Sequence, residues 1–257
     1  MPVAFISDIH LGKTRGPEDR SRESDLVAFL RVSESDLSAL YLVGDVFDAY
    51  IEYRSVVPKG AFRLLAQLDR MVEQSIPVTY VLGNHDPWHL DYFESIGVEV
   101  VPDHVIRRHH GRSVLIAHGD QAAPKWSPYG LILRLLRNPL PVWLYRNLMP
   151  ADLGYALARG IKKLVSSDEP SPKNVEQLRA FAASLLAQPA IDAVVLGHSH
   201  QAEIRTNRDG TYVNAGEWDR RRQAALLDEN GFRLVTWAPA VGETVLAHEE
   251  SLSAPIV

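Results

Sequence analysis

Val3-Ala4-Phe5-Ile6-Ser7-Asp8-Ile9-His10 is the stretch from which the rest of this chain can be read. A short apolar run rich in branched and aromatic residues reads as a buried strand. Asp8 and His10 then stand just past its C-terminal end, where ligands bind in open α/β sheets. If the chain stays extended, residues two apart point the same way. One oxygen and one nitrogen ligand then converge. Alone, Asp8-x-His10 is also what a capping aspartate and a surface histidine look like. Repetition changes the reading. Four more apolar runs end abruptly in Asp, Asn or His: Ala39 to Gly44-Asp45, Val78 to Gly83-Asn84-His85-Asp86, Val114 to His118-Gly119-Asp120, and Ala193 to Gly197-His198-Ser199-His200.

The 257 residues suffice for one large α/β domain, read here as a single unit over 1–257, with an insertion at about 121–172. A net charge of −5 gives no support for general nucleic-acid binding, which favours a basic balance. There is no cysteine, so disulfides and thiolate metal sites are excluded. Any metal must be held by Asp, Asn, Glu or His, which favours Mn²⁺, Fe²⁺, Mg²⁺ or Zn²⁺. No signal-peptide pattern and no apolar run of about 18 residues is found, so a cytoplasmic location is expected.

Along the chain, Leu11 to Ser24 is polar and reads as a loop, followed by a helix over Glu23–Val32. A second helix is expected over Gly60–Gln74 and a short one over Pro87–Ser95. Strands at Gly97–Val101, His104–His109 and Ser113–Ala117 break the strict βα rhythm and suggest antiparallel pairing. The 121–172 segment has no convincing strand and reads as two or three short helices, ending in a polar linker at 166–173. A helix over Val175–Ala187 follows. After His200, two hairpins turning at Asn207–Gly210 and Glu229–Gly231 make the last third mostly antiparallel.

Hydrolysis of a phosphoester at neutral pH needs a strong nucleophile and something to absorb charge on phosphorus. Two metals about 4 Å apart supply both, acidifying a water and clamping the phosphoryl oxygens. Such a centre needs several oxygen and nitrogen ligands, with one carboxylate between the ions. Asp8, His10, Asp45, Asn84, His118, His198 and His200 meet that need, each at an expected strand end. Gly44, Gly83 and Gly197 each precede a ligand and allow close backbone approach.

In order and spacing, Asp8-Ile-His10, Gly44-Asp45-Val-Phe-Asp48, Gly83-Asn84-His85-Asp86, His118-Gly119-Asp120 and Gly197-His198-Ser-His200 resemble the calcineurin-like metallophosphoesterases, from residue 1 to about 218. The resemblance implies a four-layer α/β sandwich of two mixed β-sheets flanked by helices, with a helical lid insertion. It implies one metal on Asp8, His10, Asp45 and His200, and another on Asp45, Asn84, His118 and His198, with Asp45 bridging. Mn²⁺ is the ion expected first. The histidine of Asn-His-Asp donates a proton to the leaving group in that family, oriented by the next aspartate; His85 and Asp86 match those positions. Imidazole chemistry suits the role. Asp48 and Asp120 are expected to orient ligands, and His89, His104, His109, His110 and His248 to have no part.

Between Lys125 and Val165 seven Lys or Arg (Lys125, Arg134, Arg137, Arg146, Arg159, Lys162, Lys163) face one acid, Asp152, a local excess of six positive charges. They are interleaved with Trp126, Tyr129, Leu131, Ile132, Leu133, Leu135, Leu136, Val142, Trp143, Leu144 and Tyr145. Cations beside an apolar face suit an acidic amphiphile and an anionic membrane surface. The plainer reading is a helical lid packed on the core. The insertion's place and character resemble the UDP-2,3-diacylglucosamine hydrolases, peripheral membrane enzymes of lipid A synthesis. That resemblance implies attack on the α-phosphorus of a UDP-linked glycolipid with release of UMP. Those enzymes typically carry Asn-Arg-Asp where this chain has Asn84-His85-Asp86. A soluble phosphomonoesterase, phosphodiesterase or nucleotide phosphatase with the same core is the alternative.

Overall fold

A computed structural model describes residues 1–14, 16–123, 127–165 and 171–238. Lys125, Trp126, His248 and part of the expected linker lie outside those residues. In chain order the elements are β1 (Val3–Ile6), α1 (Pro17–Ser33), β2 (Ala39–Val43), α2 (Phe62–Glu73), β3 (Val78–Val81), α3 (Tyr92–Ser95), β4 (Glu99–Val101), β5 (His104–His109) and β6 (Arg112–Ala117). The insertion supplies α4 (Pro128–Leu136), α5 (Pro139–Leu148) and α6 (Ala151–Val165). Then come α7 (Pro172–Leu186), β7 (Ala193–Leu196), β8 (Glu203–Asn207), β9 (Gly210–Asn214), α8 (Trp218–Arg221), β10 (Gln223–Asp228) and β11 (Gly231–Thr236).

The strands form two mixed sheets, β11-β10-β1-β2-β3-β4 and β5-β6-β7-β9-β8. β1 to β4 run parallel, as do β6, β7 and β9. Strand alternation sorts the apolar runs into layers. In β1, Val3 and Phe5 face the second sheet, joined by Tyr41, Val43, Ile116, Val195 and Val213. Ala4 and Ile6 face the other way, onto Leu26, Phe29 and Leu30 of α1 and Leu64 and Leu68 of α2. On the far side α7 buries Leu178, Ala182 and Leu186 against Leu115, Val194 and Tyr212. The order helix, sheet, sheet, helix is the expected four-layer sandwich. Because the inner strands are covered on both faces, their sequences are continuous apolar runs.

Several element readings need correction. α1 starts at Pro17, well before Glu23; proline at the first helical turn and Glu18 and Asp19 beside the helix dipole favour that start. Its polar first half was masked by exposure. Only Tyr92–Ser95 of the expected 87–95 helix forms. The last third is antiparallel within its two hairpins, but β9 pairs parallel with β7, and β10 returns to pair antiparallel with β1. The chain crosses between sheets after β4, so β5 and β6 form an antiparallel pair in the second one.

Candidate metal centre

The seven expected ligands leave five parallel strands at their C-terminal ends. β1, β2 and β3 deliver Asp8, His10, Asp45 and Asn84 from one sheet; β6 and β7 deliver His118, His198 and His200 from the other. The chain does not stay extended there. Asp8, His10, Asp45, His198 and His200 all take left-handed backbone, with φ of 54°, 51°, 53°, 67° and 58°. Such conformations are costly for residues other than glycine and gather at functional sites. Here backbone hydrogen bonds hold them: the Ile9 and His10 amides both donate to the Asp45 carbonyl at 2.9 Å. Asp8 and His10 therefore converge through a tight loop and not by strand alternation, bringing Asp8 Oδ1 within 3.9 Å of His10 Nε2.

Donor atoms of Asp8, His10 and His200 cluster within 4.8 Å of one another, as do those of Asp45, His118 and His198, and those of His10, Asp45 and His85. His10 Nε2 stands 3.4 Å from His200 Nε2. His118 Nε2 stands 3.1 Å from Asn84 Oδ1 and 3.3 Å from Asp45 Oδ2. Ligands about 2.0–2.2 Å from one first-row ion are separated by about 3.0–3.4 Å. Asp8 Oδ1 is buried without a hydrogen-bond partner. His200 Nε2 lies 3.1 Å away, an ion pair's distance without a hydrogen bond's alignment. An orphaned carboxylate oxygen facing crowded imidazoles fits a divalent cation, and the donor set fits the expected residues.

Electrostatics agree. Burial alone would raise the Asp45 carboxyl, but His118, His85 and His10 outweigh it and hold it well below the usual range. Asp8 is likewise held down, by His200 and His118 against burial. Burial pushes the His198 ring down to about 3 and His10 well below its ordinary value. Both rings then favour the neutral form, whose nitrogen lone pair is what a metal ion takes. His118 is lifted to about 10: burial lowers it, but Asp45 and Asp8 win. His200 rises to about 10 against burial because of Asp8 and Glu217. A divalent ion and these protons compete for the same nitrogens.

The close approach that the three glycines permit is real. A Cβ on Gly83 would collide with Asp45 Oδ1 and the Asp45 amide, one on Gly44 with the His118 ring, and one on Gly197 with Ser7 Oγ. The His118 Nδ1–H donates to the Val43 carbonyl at 2.9 Å, which turns Nε2 toward the centre.

His85 lies at the edge of the cluster, Nε2 3.7 Å from Asp45 Oδ2. Its Nδ1 is held by the Asp48 carbonyl at 3.2 Å. Asp86 does not orient it. That carboxylate is fully buried and accepts from the Asp45, Phe47 and Gly83 amides and from the Tyr80 hydroxyl. It ties the ends of β2 and β3 together. Burial and then Asp45 push its carboxyl up to about 6. Asp48 Oδ1 approaches His10 Nδ1 at 4.0 Å, and Asp120 pairs with Arg137 at 2.8 Å. His89, expected at the surface, packs against Tyr50 with ring centroids 4.4 Å apart, and burial pushes it down to about 3.

Four supporting residues escaped the sequence reading. Ser7 Oγ bonds Asp8 Oδ2 at 2.6 Å. Glu217 accepts from His200 Nδ1 at 3.1 Å. Asn214 Nδ2 donates to the Gly197 carbonyl at 2.7 Å and so pins the His198 loop. Buried Arg22 donates to the His10 carbonyl at 3.1 Å and pairs with Asp219. The signal for two of them was present. Tyr212-Val213-Asn214-Ala215-Gly216-Glu217 is a sixth apolar run ending in a polar pair.

A cleft of about 690 Å³ opens beside Asp48, walled by Leu11, Phe47 and Val57 and, from the insertion, Ala151 and Tyr155. The insertion exposes Leu135, Leu140, Trp143 and Leu148, the last at 75 %. Arg137 and Arg146 are used to seat it: Arg137 pairs with Asp120, and Arg146 donates to the His89 carbonyl at 2.8 Å. The side chains of Tyr129, Ile132, Leu133, Arg159, Lys162 and Lys163 lie outside the described set. Among the described residues no helix is long and apolar enough to cross a membrane.

Comparisons with known proteins bear on this geometry. The calcineurin-like phosphoesterase family matches residues 1–202. A UDP-2,3-diacylglucosamine hydrolase of Pseudomonas aeruginosa is 31% identical over 243 residues, covering 91% of this chain and 98% of its own. One from Porphyromonas gingivalis is 29% identical over 246 residues, covering 88% and 94%. Among solved structures an archaeal phosphodiesterase aligns with a TM-score of 0.50 at 10% identity, over 92% of this chain and 99% of its own, a likeness of fold.

Proposed function

The chain belongs to the calcineurin-like phosphoesterase family and is a metal-dependent hydrolase, and on that premise we propose that it cleaves a UDP-linked, diacylated glucosamine at phosphorus, releasing UMP. The observation that carries this reading is the cleft walled by Asp48, whose carboxylate stands 4.0 Å from His10, and by Ala151 and Tyr155 of an insertion that exposes apolar side chains elsewhere on its surface. The names of the relatives in Pseudomonas and Porphyromonas support it.

When bound, two divalent ions, Mn²⁺ in the first place, supply a deprotonated water and draw charge from the phosphoryl oxygens. Asp8, His10, Asp45 and His200 would hold one, and Asp45, Asn84, His118 and His198 the other. Glu217 and the Val43 carbonyl fix the His200 and His118 rings. His85 serves the leaving group. Its Nδ1 faces a carbonyl, which can only accept, so Nδ1 keeps its proton. The proton delivered comes from Nε2, and the ring passes from imidazolium to neutral. Trp143, Leu148 and their neighbours rest on the cytoplasmic face of an anionic membrane, from which the lipid enters.

The test is hydrolysis of UDP-2,3-diacylglucosamine with Mn²⁺, beside a small phosphodiester and a nucleotide pool. UMP release from the lipid substrate, with little turnover of the others, is expected. Turnover of the small ester without UMP release would keep the hydrolase and remove the lipid, leaving a phosphatase or phosphodiesterase with a soluble substrate.

A further inference from the structure

The insertion does more than overhang the cleft: it grips both loops that position His85. The first loop follows Asp45. Its Asp48 carbonyl holds His85 Nδ1, and three residues later the Tyr155 hydroxyl of α6 accepts from the Ile51 amide at 2.9 Å and lies 2.7 Å from the Ile51 carbonyl. Ile51 is 2 % exposed, so no water can replace that hydroxyl without movement. The second loop follows His85 itself. Trp88 Nε1 donates to the Leu136 carbonyl at 2.6 Å, its ring meets Tyr145 edge-on at 4.8 Å, and Arg146 holds the next carbonyl. The two loops are also laced to each other. The Tyr50 amide donates to the His85 carbonyl at 3.3 Å, the Glu52 amide to the Trp88 carbonyl at 3.0 Å, and Ile51 pairs with Trp88 as an isolated parallel bridge.

We propose that Tyr155 is a positioning residue for His85, acting through the 48–52 loop, so that the insertion sets proton delivery as well as covering substrate. The inference rests on the hydrolase reading of this centre and is independent of which substrate the cleft takes. Its consequence is specific. Losing the hydroxyl should weaken the proton donor far more than the candidate metal ligands, since Asp86, Ser7, Asn214 and Arg22 hold Asp45, Asp8, the His198 loop and His10 independently of that loop.

The experiment uses the full chain loaded with Mn²⁺ and two small phosphodiesters, too short to span the cleft. One leaves as p-nitrophenolate, which needs little protonation, the other as phenolate. For Tyr155→Phe we expect kcat on the phenyl ester to fall about tenfold and on the p-nitrophenyl ester less than about twofold, with KM and bound Mn²⁺ unchanged. In a His85→Ala background the same substitution should cost nothing further, because the two act as one unit. Trp88→Phe, which keeps a ring against Tyr145 but loses the bond to Leu136, should give the same pattern from the other loop. Equal losses on both esters, a raised KM, or a full additional loss in the His85→Ala background would overturn the proposal. Absence of Mn²⁺-dependent hydrolysis by the unsubstituted chain would instead overturn the function on which it rests.

Discussion

Five candidate ligands with left-handed backbone represent stored strain of about 1–3 kcal/mol each. That strain persists because the strand-end loops are cross-bonded, with the Asp45 carbonyl accepting from both Ile9 and His10. At Gly83 this packing is tight against backbone as well as side chain, since any side chain there would displace the Asp45 carboxylate and amide together. Gly83→Ala should lower Mn²⁺ affinity at least about tenfold, read by isothermal titration; unchanged affinity would show that Asp45 can shift without cost to the centre. All seven candidate ligands were legible in sequence because each lies at the end of an apolar run. Ser7 and Arg22 were not, because they act through another residue's carboxylate or backbone. Asp86 was misread for a related reason. Adjacency to His85 in sequence says nothing about where a carboxylate turns, and this one turns inward to three amides and Tyr80.

Among elements, the insertion departs most from an ordinary packed helix group. Trp143 is 55 % exposed and Leu140 64 %, whereas Tyr155, Arg146 and the Leu136 carbonyl are engaged with the core. One face seats the loops on either side of His85 and the other exposes apolar side chains. Trp143→Asp should raise KM for the diacylated substrate about tenfold and leave a small phosphodiester untouched, in vesicle-based and soluble assays respectively. Equal loss on both substrates would assign Trp143 to folding. Two or three short helices were legible here from composition and the lack of a strand pattern, and three form. Their anchor points were not, since a hydrogen bond from Trp88 to a helix-end carbonyl depends on tertiary placement. The start of α1 was hidden for a simpler reason: its first turns are polar and exposed, so only Pro17 and the two acids mark them.

At the scale of the whole molecule, two sheets are packed face to face so that the C-terminal edges of β1, β2, β3, β6 and β7 meet at one rim. The four-layer order was an implication of the family resemblance, while the strands were legible because those covered on both faces read as unbroken apolar runs. Their partners were not. An apolar run does not say which neighbour it pairs with, so the return of β10 to β1 and the parallel pairing of β9 with β7 came only with the fold. That rim places carboxylates from one sheet against imidazoles from the other, and a dinuclear centre across it is the claim on which the rest depends. Metal analysis of the purified chain after loading with Mn²⁺, beside Asp45→Asn, tests it most directly. Two ions per chain are predicted, falling to one or none in Asp45→Asn, if Asp45 is the carboxylate that bridges them. A single ion in the unsubstituted chain, or two retained in Asp45→Asn, would contradict a centre bridged by Asp45.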